Sequence, residues 1–223
     1  MFFVATLLLY LGSLVQKLPR SFYLRPTLQV AKKLLGKHLV RIHHGKKLVG
    51  KIVEVEAYGR DDPASHSFRG KTKRNEVMFG RAGHLYVYFT YGMHFCANVV
   101  TGPEGKGEAV LIRAVEPIEG VEAMIKNRLQ VSGGAGVKRG LRISPRLLSP
   151  LSPALTNGPA KLCQAFAIGK EENGADLLGD EIFIVAGDKL PASMIGRSSR
   201  IGIRNGVDKQ WRFFVRGNKW VSR

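Results

Sequence analysis

Glu54, Glu56 and Tyr58 alternate with Val53, Val55 and Ala57 in the run Lys51-Ile52-Val53-Glu54-Val55-Glu56-Ala57-Tyr58. Successive side chains of an extended strand point to opposite faces. The three apolar residues therefore share one face, the core side, and the two carboxylates and the phenol share the other. A carboxylate beside an aromatic wall can deprotonate a water and stabilise positive charge as it develops in a transition state. The plain alternative is a solvated strand face, with Glu54 paired to a lysine.

Two further segments add to that chemistry. His66 sits in the short run Ala64-Ser65-His66-Ser67, where an isolated histidine is usually a surface or hydrogen-bonded residue. Residues 85–98 are dense in aromatics, and core packing accounts for Phe89 and Phe95. Tyr86, Tyr88 and Tyr91 each carry a hydroxyl that needs a partner if buried. Tyr91 falls beside Gly92, at the tip of an expected hairpin, where an aromatic can stack on a base or wedge into a base step.

The chain as a whole is basic. Its 223 residues hold 35 Lys and Arg against 17 Asp and Glu, a net charge of +18. That excess is larger than solubility demands and points to a polyanion, nucleic acid before an anionic membrane. With 44% hydrophobic residues the chain can bury a core, and its length suits one domain. Cys96 and Cys163 have no zinc-like spacing and read as reduced, partly buried thiols. The apolar stretch 1–15 is shorter than the roughly 20 residues of a membrane span. It lacks the basic start and cleavage site of a signal peptide. A helix packed on the domain, a weak membrane anchor, or an upstream start codon would each account for it.

The elements that must position these residues can be read from local patterns. Residues 27–35 have helical spacing, with Thr27 as cap and Gly36 as stop. Strands are expected at 37–42 and 48–58, around a turn at 43–46. Residues 61–83 form a long polar, basic loop, and loops of that length are commonly functional. Strands at 84–90 and 95–101 face each other across Tyr91-Gly92-Met93. A strand at 108–116 leads to Pro117, read as opening a helix to about residue 130. Residues 132–159 form a Gly-, Pro- and Arg-rich loop, and Pro159 opens a helix through 168. Short strands follow at 182–185, 201–203 and 212–215. The pattern is one α+β domain on a mostly antiparallel sheet.

Six blocks of sequence carry a resemblance. VEVEAY (53–58), the histidine of ASHS (64–67), MFGRAGHLYVYFTYGMHFCANVV (78–100), AVLIRAVEPIEG (109–120), GPAKLCQAFAI (158–168) and RFFVRGNKWVS (212–222) resemble the alkyladenine (3-methyladenine) DNA glycosylase family, the methylpurine-DNA glycosylase type. The resemblance runs from about Leu18 onward, so residues 1–17 stand as an apolar extension and 18–223 as the glycosylase domain.

It implies a curved antiparallel sheet with surrounding helices and a protruding hairpin. It also implies a monofunctional enzyme of base excision repair, which flips a damaged purine out of duplex DNA and hydrolyses its N-glycosidic bond to leave an abasic site. Glu56 then activates the water, with Arg113 beside it to keep it charged. Tyr58, His66 and Tyr88 enclose the base, and Asn98 crowds the exocyclic amino group of guanine. Tyr91 fills the gap in the stack, and Lys71, Lys73 and Arg74 meet phosphates. No metal, other cofactor or Schiff-base lysine is implied, and the partner is damaged double-stranded DNA, met by a monomer without an obligate protein partner. In a bacterium the protein would be cytoplasmic, at the nucleoid. Loop 132–159 matches the family poorly and is given only a generic DNA-contact role. A binding domain that has lost activity, and a membrane-associated basic protein, are the competing classes. The first would be expected to lack Glu56, and the second leaves the tyrosine hairpin without a purpose.

Overall fold

The computed structural model describes residues 16–133 and 152–222. The apolar segment 1–15 and most of loop 132–159 lie outside the described residues. Eight strands form one antiparallel sheet: β1 (His38–His43), β2 (Lys46–Tyr58), β3 (Leu85–Thr90), β4 (His94–Thr101), β5 (Glu108–Glu119), β6 (Ile182–Val185), β7 (Ile195–Ser198) and β8 (Arg212–Val215). The α-helices among the described residues are α1 (Arg20–Tyr23), α2 (Thr27–Leu34), α3 (Val121–Gly133) and α4 (Pro159–Ala165). The result is the expected single α+β domain.

Strand β2 is the spine. One edge pairs with β5 along most of its length. The other edge pairs first with β1, at Lys46–Lys51, and then with β8, at Glu54–Glu56. The sheet continues as β3-β4-β5-β2-β1-β6, with β7 outside β8. Two register shifts bracket Glu54: Val53 is an extra residue on β2, and Arg113 an extra residue on β5. Such irregularities re-aim side chains, and here they bring Arg113 beside the β2 carboxylates. Val53, Val55 and Ala57 join the main core, with Val30 and Leu34 of α2 and Phe166 beyond α4, as the alternation anticipates. The opposite face is not solvated: Glu54 and Glu56 are both fully buried.

Five local expectations need correction. Pro117 does not open a helix; it sits inside β5 opposite Gly50, and α3 begins at Val121. Among the described residues β4 flanks β5 only at Glu108–Leu111, and no other described strand occupies that edge at Pro117. Thr27 does not cap α2. Pro26 holds the cap position, and the Thr27 hydroxyl bonds Glu108 at 2.6 Å and Thr101 at 2.9 Å instead. Residues 201–203 form no strand; β7 ends at Ser198, and Gly202 has φ +76°, which breaks an extended pleat. Phe89 is not core but half-exposed, on the edge strand β3, whereas Phe95 packs against the core. The helix opened by Pro159 stops at Ala165 rather than continuing to 168.

Gly50 marks a tight crossing in the sheet. A Cβ placed there would lie 2.7 Å from Val115 Cγ2 and 3.0 Å from the Phe166 ring. Gly50→Ala should therefore cost about 1–3 kcal/mol through overpacking. Urea unfolding checks this, with a lower midpoint expected at unchanged slope; an unaltered midpoint would show that the core yields.

Candidate active site

Where β2 leaves the sheet, a cavity of about 480 Å³ opens between β2, β3, β4, the 61–83 loop and residues 201–205. Glu56, Tyr58, His66, Tyr88, Asn98 and Arg113 all line it, and Tyr91 lies at its margin. The structure thus gathers residues that are up to 57 positions apart in sequence around one hole. Lys71, Lys73 and Arg74 lie outside it, exposed on the loop, and Arg74 donates to Phe89 O at 3.2 Å, tying the loop to the hairpin.

The two carboxylates of β2 differ in what they have left to offer. Glu54 Oε1 accepts from Arg113 Nε at 3.0 Å, Arg212 Nε at 2.6 Å and Ser222 Oγ at 2.8 Å, and Oε2 accepts from Ser222 N at 2.6 Å. Its partners are arginines and the C-terminal backbone, not a lysine. A carboxylate has about four acceptor sites, so Glu54 is saturated. Glu56 Oε1 meets Ile201 N at 2.7 Å and Arg113 Nη1 at 3.2 Å, while Oε2 accepts from Tyr58 Oη at 2.8 Å. Among the described residues Oε2 has one donor, so it keeps an acceptor site facing the cavity that it lines.

Arg113 joins the pair. Burial works against its charge, but Glu56 and Glu54 together outweigh that and hold its pKa above the ordinary arginine value. The aromatic side chains of the wall are uncharged. Burial pushes the Tyr58 phenol well up, and the charge and hydrogen bond of Glu56 add to this, so Tyr58 stays a donor. Burial pushes Tyr88 up as well, and Tyr86 up to about 12. Desolvation lowers the His66 pKa and Arg74 lowers it further, which keeps the imidazole neutral at pH 7. His66 Nδ1 lies 3.0 Å from Tyr86 Oη, and its ring meets Tyr88 edge-on at 4.4 Å. Asn98 is buried and donates to Tyr86 O at 3.2 Å.

The hairpin tip is shaped by backbone. Tyr91 and Gly92 both have positive φ, +52° and +67°, in the three-residue turn between β3 and β4. That turn leaves Tyr91 81% exposed, beyond reach of the core.

Ile201 N–H went unread in the sequence, because a backbone donor has no residue signature. Arg200 and Asp62 were missed as well; they pair across 138 positions, a separation no local pattern spans. Among the described residues no group of three or more His, Cys, Asp or Glu could hold a metal ion. None of the helices in those residues is long and apolar enough to cross a membrane.

A cavity of this size takes one nucleotide rather than a duplex, so chemistry performed in it on DNA requires a base to leave the stack. The model of the methylpurine-DNA glycosylase family matches residues 21–219, and the chain belongs to that family. It is 51% identical over 207 residues to a protein of Carboxydothermus hydrogenoformans, covering 92% of this chain and 98% of that one. It is 46% identical to a protein of Clostridium acetobutylicum (92% and 97% covered) and 45% identical to one of Alkaliphilus oremlandii (93% and 99%). All three carry the provisional name 3-methyladenine DNA glycosylase. The chain is accordingly a DNA glycosylase of base excision repair, and DNA is its substrate.

The saturated carboxylate should matter for stability more than for chemistry. Removing one member of a buried ionic cluster strands the others without solvent, at a cost of about 3–5 kcal/mol. Glu54→Ala should lose that much in urea unfolding, since Arg113 and Arg212 would lose a shared partner. A loss under about 1 kcal/mol would mean that water or rearrangement replaces Glu54.

Proposed function

We propose that the chain removes alkylated and deaminated purines from duplex DNA by hydrolysis, with Glu56 as the base that activates water. The observation that carries this reading is the acceptor site left on Glu56 Oε2 at the cavity wall, next to a saturated Glu54. A water bound there would face C1′ of a nucleotide whose base fills the cavity. The N-glycosidic bond breaks with its electron pair leaving on the purine. The water oxygen bonds C1′, and its proton passes to Glu56. While the sugar carries oxocarbenium character, the carboxylate stabilises it electrostatically. Tyr58 Oη, Ile201 N–H and Arg113 hold the carboxylate in place throughout.

The neutral aromatic walls suit the leaving group. Tyr58, His66 and Tyr88 offer π faces and edges to a flat base, and a ring face attracts a cationic alkylpurine. A protonated His66 would oppose such a base, so its lowered pKa favours the pocket's task at pH 7. Asn98 would crowd the amino group of guanine. Tyr91 would occupy the space the base leaves, and Lys71, Lys73 and Arg74 would hold phosphates. The relatives' names point to 3-methyladenine as one substrate. The enzyme would meet damaged duplex DNA as a monomer, at the nucleoid if the cell is a bacterium.

Single-turnover base release from duplexes with one central alkylated or deaminated purine tests this reading. The parent protein should release the lesion and leave an undamaged duplex intact. Glu56→Gln should bind the lesion duplex yet release base about 10²–10⁴-fold more slowly. A Glu56→Gln rate equal to the parent's would remove Glu56 as the base.

A further inference from the structure

After β7 the chain leaves the sheet at Ser198 and does not rejoin it until Arg212. Residues 201–205 of this connection form one wall of the cavity, and Ile201 N–H holds Glu56. With no strand ladder along this wall, its position depends on side-chain bonds. Ser199 Oγ donates to Val207 O at 2.9 Å and Lys209 Nζ to Asp61 O at 3.4 Å, but Arg200 supplies the buried bonds. Its Nη1 donates to Ala57 O at 3.0 Å and to Asp62 Oδ2, and its Nη2 donates to Asp62 Oδ1 at 2.9 Å and to Gly206 O at 3.2 Å. Both side chains of the pair are wholly buried. The guanidinium also lies 4.8 Å from the Tyr58 ring centre and 5.4 Å from that of Trp211. At Gly206, φ is +63° and an added Cβ would fall 2.9 Å from Asp62 Oδ1, so the far end of the segment closes on the same pair.

One residue thus bears on three parts of the site. Ala57, whose carbonyl it holds, lies between Glu56 and Tyr58. Tyr58, whose ring it backs, donates to Glu56. Ile201, its chain neighbour, donates to the other oxygen of Glu56. A buried ion pair is weak as a source of net stability, since apolar replacements often do as well. What a planar fork with several fixed donors offers is geometry, and a lysine cannot reproduce it.

We propose that Arg200, locked by Asp62, is a positioning residue for base excision: it fixes Ile201 N–H and Tyr58 on Glu56 and so sets the direction of the carboxylate. This rests on Glu56 being the base. Misplacing a reacting group by about 1 Å can cost roughly 10²-fold in rate, whereas lesion binding depends on the aromatic walls and phosphate contacts.

The test measures lesion-duplex affinity and single-turnover base release for Arg200→Lys, Asp62→Asn and Glu56→Gln beside the parent. Arg200→Lys keeps the charge and loses the fork; Asp62→Asn keeps the shape and loses the charge. The expected result is release slowed about 10²-fold in Arg200→Lys and about tenfold in Asp62→Asn, with affinity within about threefold of the parent. Release within twofold of the parent in folded Arg200→Lys overturns the proposal. So does a loss of affinity that matches the loss of rate, which would mean general structural damage. Should Arg200→Lys fail to fold, Asp62→Asn decides by the same two criteria. A Glu56→Gln protein with full activity would instead overturn the assignment of the base. An inactive Glu56→Gln beside a fully active Arg200→Lys would overturn the positioning role alone.

Discussion

Arg113 stands between two buried carboxylates, and its charge lets both lie side by side on one strand face. Two buried carboxylates would otherwise repel each other and lose their hydration. Much of the architecture serves this placement. The register shifts around Glu54 put Arg113 into an irregular position on β5, where its side chain reaches Glu54 through Nε and Glu56 through Nη1. β8 pairs with the same part of β2 and brings in Arg212 as the second cation for Glu54. The chain end then folds back so that Ser222 occupies the remaining acceptors.

The two carboxylates consequently divide their work. Glu54 spends every acceptor on protein groups and holds β5, β8 and the C-terminal residues together. Glu56 is held by three donors from β2, β5 and residue 201, and keeps acceptor capacity at the cavity. The tyrosines and histidine around it stay neutral at pH 7, so they can face a purine without adding charge. In a protein of net charge +18, Lys71, Lys73 and Arg74 stay exposed on the 61–83 loop.

Where local pattern and tertiary demand agreed, the sequence was informative. The alternation in β2 put Glu54, Glu56 and Tyr58 on one face, and Tyr91-Gly92 marked the hairpin tip, because both features arise within a few residues. The resemblance supplied His66, Tyr88, Asn98 and Arg113, which only the fold brings to Glu56. Failures came where distant contacts prevailed. Thr27 left its expected cap for Glu108, Pro117 found a vacant strand edge, and Gly202 turned an apolar Ile-Gly-Ile alternation into a cavity wall. Phe89 looked like core by composition, yet it lies on an edge strand of a protruding hairpin. The Arg200–Asp62 lock and the Ile201 donor were invisible for the same reason: neither leaves a local trace.

In the proposed reaction Glu56 presents negative charge to the sugar as its bond to the base breaks. Binding of two uncleavable duplexes measures this directly. One carries a cationic pyrrolidine nucleotide that imitates the charged sugar, and the other its neutral tetrahydrofuran counterpart. The parent should bind the cationic duplex about tenfold or more tightly than the neutral one, and Glu56→Gln should lose that preference. Equal affinity of the parent for both duplexes would contradict the claim.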